Sequence, residues 1–137
     1  MSRLDELIQR RRAVASRYME RLIDETEIVT PTSVNDAFMS WFVFVVRLEA
    51  SYTKEERDRI IDGMRRHDVG CSNYFPCIHL MPHYQALGYR EGDFPIAESV
   101  SKRTLALPFY GDLTPREVDF VVQTLRLMIS RENLSRA

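Results

Sequence analysis

The stretch "FMSWFVFVVRL", residues 38–48, decides the fold. It is rich in aromatic and β-branched residues, and every position from Trp41 to Val46 is apolar. Such residues favour strands, and a strand that is apolar on both alternating faces is typical of one buried on both sides. We therefore predict a central strand here that needs cover on both of its faces.

Helical patterns lie on either side of this stretch. Thr53-Lys-Glu-Glu56 and Thr114-Pro-Arg-Glu117 are capping boxes, and each predicts the start of a helix. The first of these helices is expected to end near Gly70 and the second near residue 131. An earlier helix is predicted over residues 2 to about 25, because apolar residues recur there at three- and four-residue steps: Leu4, Leu7, Ile8, Ala15, Tyr18 and Leu22.

A second strand is predicted at "TLALPF", residues 104–109, where Pro108 stops it, and Ile28 to Pro31 is a candidate short extended piece. Helix, strand, helix, irregular loop, strand and helix then follow one another. This order indicates an α+β fold, an α/β two-layer sandwich with a small sheet of about three strands. The 137 residues fit a single domain, 1–137. Because terminal helices supply little more than one layer, we expect a second domain or a second copy to cover the other face.

Composition argues against several classes of function. The formal net charge is −1, so no overall field draws nucleic acid or acidic lipid to the chain. The consecutive residues Arg10 to Arg12 spread around a helix and do not form one basic patch, and Arg65 and Arg66 add little. No apolar run approaches the length of a membrane span. Two cysteines make no disulfide framework, so a cytoplasmic setting is expected.

The loop "NYFPCIHLMPHY", residues 73–84, is the candidate for function. Zinc is a poor fit for Cys71, Cys77, His79 and His83, because the spacing departs from the paired ligands of structural sites. A Cys77–His79 nucleophile pair is also disfavoured, since no helix N-terminus or glycine-rich turn follows the cysteine to stabilise a thiolate. A small packed cysteine is the better interpretation, and no catalytic or metal-binding residue is assigned.

The aromatic residues of this loop leave two alternatives open. Tyr74, Phe75, His79, His83 and Tyr84 are suited to present ring faces and hydrogen-bonding tips to a ligand or a neighbouring domain. The same rings are equally suited to fold back as a small satellite core. Residue chemistry alone does not separate the two.

The second half of the chain also carries an ordered set of motifs. "GCSNYFPCIHLMPHY" at residues 70–84 is followed by "LGYREGDFPIAESVSKRTLALPFYGDLTPREVDFVV" at residues 87–122. This order resembles the C-terminal region of the DegT/StrS-type sugar aminotransferases. The matching positions are Gly70, Tyr74, His79-Leu80, Pro82, Tyr84, Phe94-Pro95, Glu98, Ser101, Arg103, Leu105 to Pro108 and Glu117-Val118. Upstream, residues 11–22 resemble the helix that starts the family's small domain, and residues 40–48 its first central strand.

The resemblance implies both a fold and a chemistry. The fold is the small domain of a fold-type I aminotransferase, a small and mostly antiparallel sheet covered by helices. The chemistry is amino transfer from an amino acid, typically glutamate, to a nucleotide-linked keto-sugar, with pyridoxal phosphate as cofactor. Polysaccharide or deoxysugar biosynthesis is the implied setting, and the implied partners are the enzyme's own large domain and a second copy in a homodimer.

One family feature has no counterpart in this chain. The family binds its cofactor through a lysine in a large domain, and only Lys54 and Lys102 occur here, neither in the matching context. We therefore expect an isolated C-terminal small domain that is inactive and binds no cofactor by itself. The alternative is a stand-alone binding module that kept the fold and lost catalysis. The length of the gene product distinguishes the two.

Three residues are predicted to contact the substrate by this resemblance. His79, in the His-Leu motif near the active site, is the first, with a structural role as its alternative. Tyr74 is a weaker candidate. Arg103 is suited to bind an anion, although an ion pair with the nearby Glu98 explains it equally well.

Overall fold

The computed structural model describes residues 2–32 and 38–136. Its elements, in chain order, are α1 (Ser2–Leu22), β1 (Ile28–Val29), β2 (Phe44–Leu48), α2 (Lys54–Arg66), a 3₁₀ turn (Ile78–Leu80), α3 (Pro82–Gln85), α4 (Pro95–Ser101), β3 (Thr104–Leu107) and α5 (Pro115–Arg136). Within these ranges, no helix combines the length and the apolar character that a membrane crossing requires.

The three strands form one antiparallel sheet in the order β1-β2-β3. Phe44 lies opposite Leu107 and Val46 opposite Leu105, so these four side chains share one face. Residues Ser72 and Ala106 add an isolated bridge on the outer side of β3, which ties the loop after α2 to the sheet. The prediction of an α+β fold with a small antiparallel sheet is confirmed.

The long helices α1, α2 and α5 cover that shared face. Tyr18 of α1 stacks on Phe44 with ring centroids 4.8 Å apart, and its hydroxyl donates to the carbonyl of Pro108. Gly63 lets α2 approach α5, because a Cβ atom at this position would meet the sulfur of Met128 at 2.2 Å. One continuous core therefore lies between the sheet and a single layer of helices.

Both predicted capping boxes are present. The Glu56 amide donates to the Thr53 hydroxyl at 3.2 Å, and the Thr53 amide donates to the Glu56 carboxylate at 2.6 Å. Thr114 and Glu117 make the same exchange at the start of α5. Helix ends were placed less well: α1 is three residues shorter than predicted, α2 stops at Arg66, and α5 continues to Arg136.

The central strand departs from its prediction in position and in burial. It begins at Phe44, and its burial alternates: the even-numbered residues Phe44, Val46 and Leu48 are buried, and the residues between them are half-buried. Its second face borders an open groove of about 620 Å³. The sequence is apolar on both faces from Trp41 to Val46, but the described residues, 2–32 and 38–136, cover only one of these faces.

The segment predicted as an irregular loop contains three short helical pieces, the 3₁₀ turn, α3 and α4. Pro82 and Pro95 are the first residues of α3 and α4. Proline is favoured there because its ring presets the helical φ angle and its missing N–H is not needed. Pro82, which stands between His79 and His83 in the sequence, therefore starts a helix rather than ending one.

The apolar stripe of α5 gives the first testable prediction. Val122 is 1% exposed in the core, so Val122→Asp buries an unpaired charge and is expected to lower the free energy of unfolding by roughly 3 kcal/mol or more. The matched control is Gln123→Asp on the exposed side of the same turn. Chemical denaturation of both variants is the measurement. Equal stabilities would show that the stripe is not part of the core.

Candidate functional site

Aromatic rings from residues 74–94 surround a cavity of about 550 Å³, here termed the aromatic pocket. Its walls include Tyr74, Phe75, His79, Tyr84, Tyr89 and Phe94. Phe75 is 60% exposed and Phe94 47% exposed, and neither joins the core. The rings therefore do not form a buried satellite core. They present an open aromatic surface, which favours the docking alternative.

The pocket is anchored to the sheet by hydrogen bonds from the elements behind it. The Ser101 hydroxyl, at the end of α4, donates to the carbonyl of Phe75 at 2.6 Å. The Thr104 hydroxyl, at the start of β3, bonds the Asn73 side chain at 3.1 Å. Arg57 of α2 is almost fully buried and donates to the carbonyl of Thr104 at 3.0 Å. The first two bonds hold the loop through the Phe75 carbonyl and the Asn73 side chain, and neither of them uses an aromatic ring.

His79 lies at the base of the pocket and is paired with Glu98. The distance from His79 Nε2 to Glu98 Oε1 is 2.9 Å, and both residues are buried. The ring of Phe94 meets the imidazole edge-on, with centroids 4.8 Å apart. The His79 ring is therefore in contact with a carboxylate and with an aromatic ring.

The Glu98 carboxylate also closes the turn before α4. It accepts hydrogen bonds from the Gly92 amide at 2.9 and 3.0 Å and from the Phe94 amide at 3.1 Å. Gly92 has φ +96°, a conformation that favours glycine. Burial raises the pKa of this carboxyl group, but the hydrogen bonds from Gly92, His79 and Phe94 together lower it by more, so its pKa lies below the ordinary value.

The structure separates the three residues predicted to contact the substrate. His79 and Tyr74 both line the aromatic pocket. Arg103 lies elsewhere, and its guanidinium donates to the carbonyls of Leu48 at 3.1 Å and Ser99 at 3.2 Å. Glu98 bonds His79, so the ion pair considered for Glu98 and Arg103 is replaced by a different pair. Substrate contact by any of the three stays a prediction.

The cysteines and histidines of the loop do not converge. Cys71 is buried, and burial raises its thiol pKa to about 11, which suits a packed residue. His79 directs Nε2 to Glu98 rather than to Cys77. Across residues 2–32 and 38–136, no group of three or more histidine, cysteine or acidic side chains is arranged to hold a metal ion.

Sequence reasoning missed the partner of Glu98 in the candidate site. Its partner His79 lies 19 positions earlier, a separation that no local pattern reports. A local signal for the turn does exist: Phe94-Pro95 marks a helix start, and a glutamate in the first turn can accept from the free amides there. That signal identifies Glu98 as a cap, but not as the partner of a histidine.

Comparison with known proteins places this geometry among aminotransferases. The model of the DegT/DnrJ/EryC1/StrS aminotransferase family matches residues 1–126. The spore coat polysaccharide biosynthesis protein SpsC of Bacillus subtilis (strain 168) is 31% identical over 128 residues, which are 92% of this chain and 33% of SpsC. This chain therefore spans about a third of the length of the curated relatives that it matches.

Solved structures share the fold. S. venezuelae DesV, solved in complex with a ketimine intermediate, is 28% identical with a TM-score of 0.80, over 92% of this chain and 33% of DesV. Spr1654 of Streptococcus pneumoniae in its PMP form has a TM-score of 0.90 at 22% identity, over 96% of this chain and 33% of Spr1654. At that identity the second likeness shows the fold alone.

The buried carboxylate predicts a pH dependence of stability. Because the pKa of Glu98 is lowered on folding, its stabilisation is complete above the ordinary carboxyl pKa and is lost as the pH falls through the folded value. Glu98→Gln, which resembles the protonated acid, should therefore be less stable than the parent at pH 7, and this difference in stability should narrow as the pH falls below the ordinary carboxyl pKa.

Urea denaturation across this range measures that gap. Glu91→Gln, on the exposed side of the same loop, is the control and should show little change. A gap for Glu98→Gln that is constant from neutral to acid pH would contradict an ionised, hydrogen-bonded Glu98.

Proposed function

Since the chain belongs to the DegT/DnrJ/EryC1/StrS aminotransferase family, we propose that it is the C-terminal small domain of a pyridoxal-phosphate-dependent aminotransferase. The proposed reaction moves an amino group from an amino acid, with glutamate as the expected donor, to a nucleotide-linked keto-sugar. Polysaccharide or deoxysugar biosynthesis is the proposed setting, in line with the name of the relative SpsC. The observation that carries the proposal is the family match over residues 1–126, and the earlier resemblance is confirmed by it.

The residues of this chain do not fit the cofactor. When bound, pyridoxal phosphate supplies the electron sink for amino transfer, and the protein supplies binding and orientation. Both lysines are half-exposed and paired with a carboxylate. The distance from Lys54 Nζ to Asp58 Oδ2 is 3.0 Å, and the distance from Lys102 Nζ to Glu91 Oε1 is 3.4 Å. The small cavity that both lysines border is only about 130 Å³, well below the size typical of a cofactor site. We propose that the cofactor is held by a large domain outside this chain.

The proposed contribution of this chain is one wall of the substrate site. The aromatic pocket offers ring faces that suit a nucleotide base or a sugar ring. His79 offers one polar group at the bottom of the pocket. Tyr74 stacks on Phe75 with centroids 3.9 Å apart, so the two rings act as one surface. A partner large domain, a homodimer and a cytoplasmic setting belong to the same proposal.

The first prediction from this proposal is that the chain alone forms no specific adduct with the cofactor. After incubation with pyridoxal phosphate and reduction with borohydride, mass spectrometry should find no more label than in a denatured sample of the same chain. The reason is that both lysines are solvated and paired with carboxylates. A stoichiometric adduct on Lys54 or Lys102 would contradict the proposed division between domains and favour an independent cofactor-binding protein.

The second prediction concerns His79 in the complete aminotransferase. One hydrogen bond to the substrate is worth about 1–3 kcal/mol, so His79→Ala should lower kcat/KM of the sugar half-reaction by about 5- to 150-fold. The glutamate half-reaction lacks the nucleotide-sugar and should change much less. Single-turnover rates of each half-reaction are the measurement.

His67→Ala is the matched control for a purely structural histidine. His67 ends α2 and bonds the carbonyl of Gly63 at 2.9 Å, and it does not line the aromatic pocket. His67→Ala should lower the rates of both half-reactions by the same factor, or change neither rate. If His79→Ala lowered the rates of the two half-reactions equally, this result would contradict the substrate-contact role and indicate that His79 is purely structural.

A further inference from the structure

The pairing of His79 with Glu98 decides which ring nitrogen is left for a ligand. An ionised carboxylate accepts hydrogen bonds and cannot donate them. The Glu98 oxygen at 2.9 Å from Nε2 already accepts from two backbone amides as well. Nε2 must therefore carry the hydrogen, and the neutral imidazole is held as the Nε2–H tautomer.

The other ring nitrogen, Nδ1, is the one left for a ligand. Among the described residues, Nδ1 has no hydrogen-bond partner. The side-chain nitrogen atoms there that are both fully buried and without a partner are Nε of Arg47 and Nε of Arg57, so Nδ1 of His79 is not completely enclosed. This holds although the His79 residue as a whole is only 9% exposed. Since His79 lines the aromatic pocket and Nε2 is occupied by Glu98, Nδ1 is the ring nitrogen available to a group inside the pocket.

Charge selects the chemistry of that group. With a neutral imidazole, the pair carries the full negative charge of Glu98, and this charge disfavours a phosphate in contact with Nδ1. The free nitrogen of the Nε2–H tautomer is a hydrogen-bond acceptor. A hydroxyl group of the sugar, which can donate, fits both the charge and the acceptor.

We propose that Glu98 is a positioning residue of the substrate site, which holds His79 so that Nδ1 accepts a hydrogen bond from a sugar hydroxyl. This inference rests on the proposed function for the identity of the ligand. The positioning itself depends only on the geometry of His79, Glu98, Gly92 and Phe94. Glu98 acts through His79 and does not touch the substrate.

Nitrogen NMR of the imidazole rings in the 137-residue chain tests the positioning directly. At about pH 9, where an ordinary imidazole is neutral, His79 should show its proton on Nε2. His67 is an internal control with the opposite result, because its Nδ1 faces the carbonyl of Gly63, which only accepts. The chain has three histidines, so single substitutions assign the signals. A proton on Nδ1 of His79 would overturn the proposal.

Two variants of Glu98 separate its hydrogen bond from its charge. Glu98→Gln keeps an oxygen acceptor, and His79 should remain the Nε2–H tautomer. Glu98→Ala removes the acceptor, and the two tautomers should mix. An unchanged, single tautomer in Glu98→Ala would show that something else fixes the ring and would overturn the positioning role. If Glu98→Ala does not fold, the tautomer of the parent chain decides.

Kinetics of the complete enzyme distinguish a failure of this inference from a failure of the proposed function. If Glu98 acts through His79, then Glu98→Ala lowers kcat/KM of the sugar half-reaction by about the same 5- to 150-fold as His79→Ala, and has little further effect once His79 is alanine. Additive losses would overturn the positioning role alone. If His79→Ala has no selective effect while the tautomer still depends on Glu98, the substrate-contact role fails and the positioning stands.

Discussion

A buried carboxylate must have its oxygens satisfied, and this constraint organises the segment between α2 and β3. Glu98 accepts from the turn at Gly92, from the start of α4 at Phe94 and from the imidazole of His79. A buried charge without such partners would be strongly destabilising. The 3₁₀ turn, the glycine turn and α4 are therefore held together by one side chain, and the aromatic pocket is the surface that results.

The local elements were predictable because their signals are local. Capping boxes located the starts of α2 and α5 within a residue, and Pro108 marked the end of β3. The pair of His79 and Glu98 was not predictable, because it joins positions 19 residues apart and the nearer Arg103 offered a plausible alternative. Arg103 instead donates to the carbonyls of Leu48 and Ser99. The resemblance thus picked out His79, Glu98 and Arg103 as matching positions, and closeness along the chain suggested the wrong partner for Glu98.

The apolar character of β2 shows a second limit of sequence reasoning. From Trp41 to Val46 the residues of both faces are apolar, and the prediction of a doubly covered strand followed from that pattern. The described chain covers the face of Phe44 and Val46 with helices and leaves Val43 and Val45 beside an open groove. An apolar pattern indicates that a strand face is suited to burial, but it does not identify the element that packs against that face.

The position of His79 depends on the core in several steps. The packed sheet holds β3, and hydrogen bonds from Ser101 and Thr104 hold the loop against it. The same junction ends α4, whose first turn places Glu98, and Glu98 in turn orients the imidazole. A polar group that must meet a ligand within a few tenths of an ångström requires this kind of support, because a side chain on a free loop samples many orientations. The rings around it need no such precision, since stacking tolerates displacement in the plane of the ring. Under the proposed substrate role, this difference accounts for the exposure of the aromatic residues of the pocket and for the burial of its histidine.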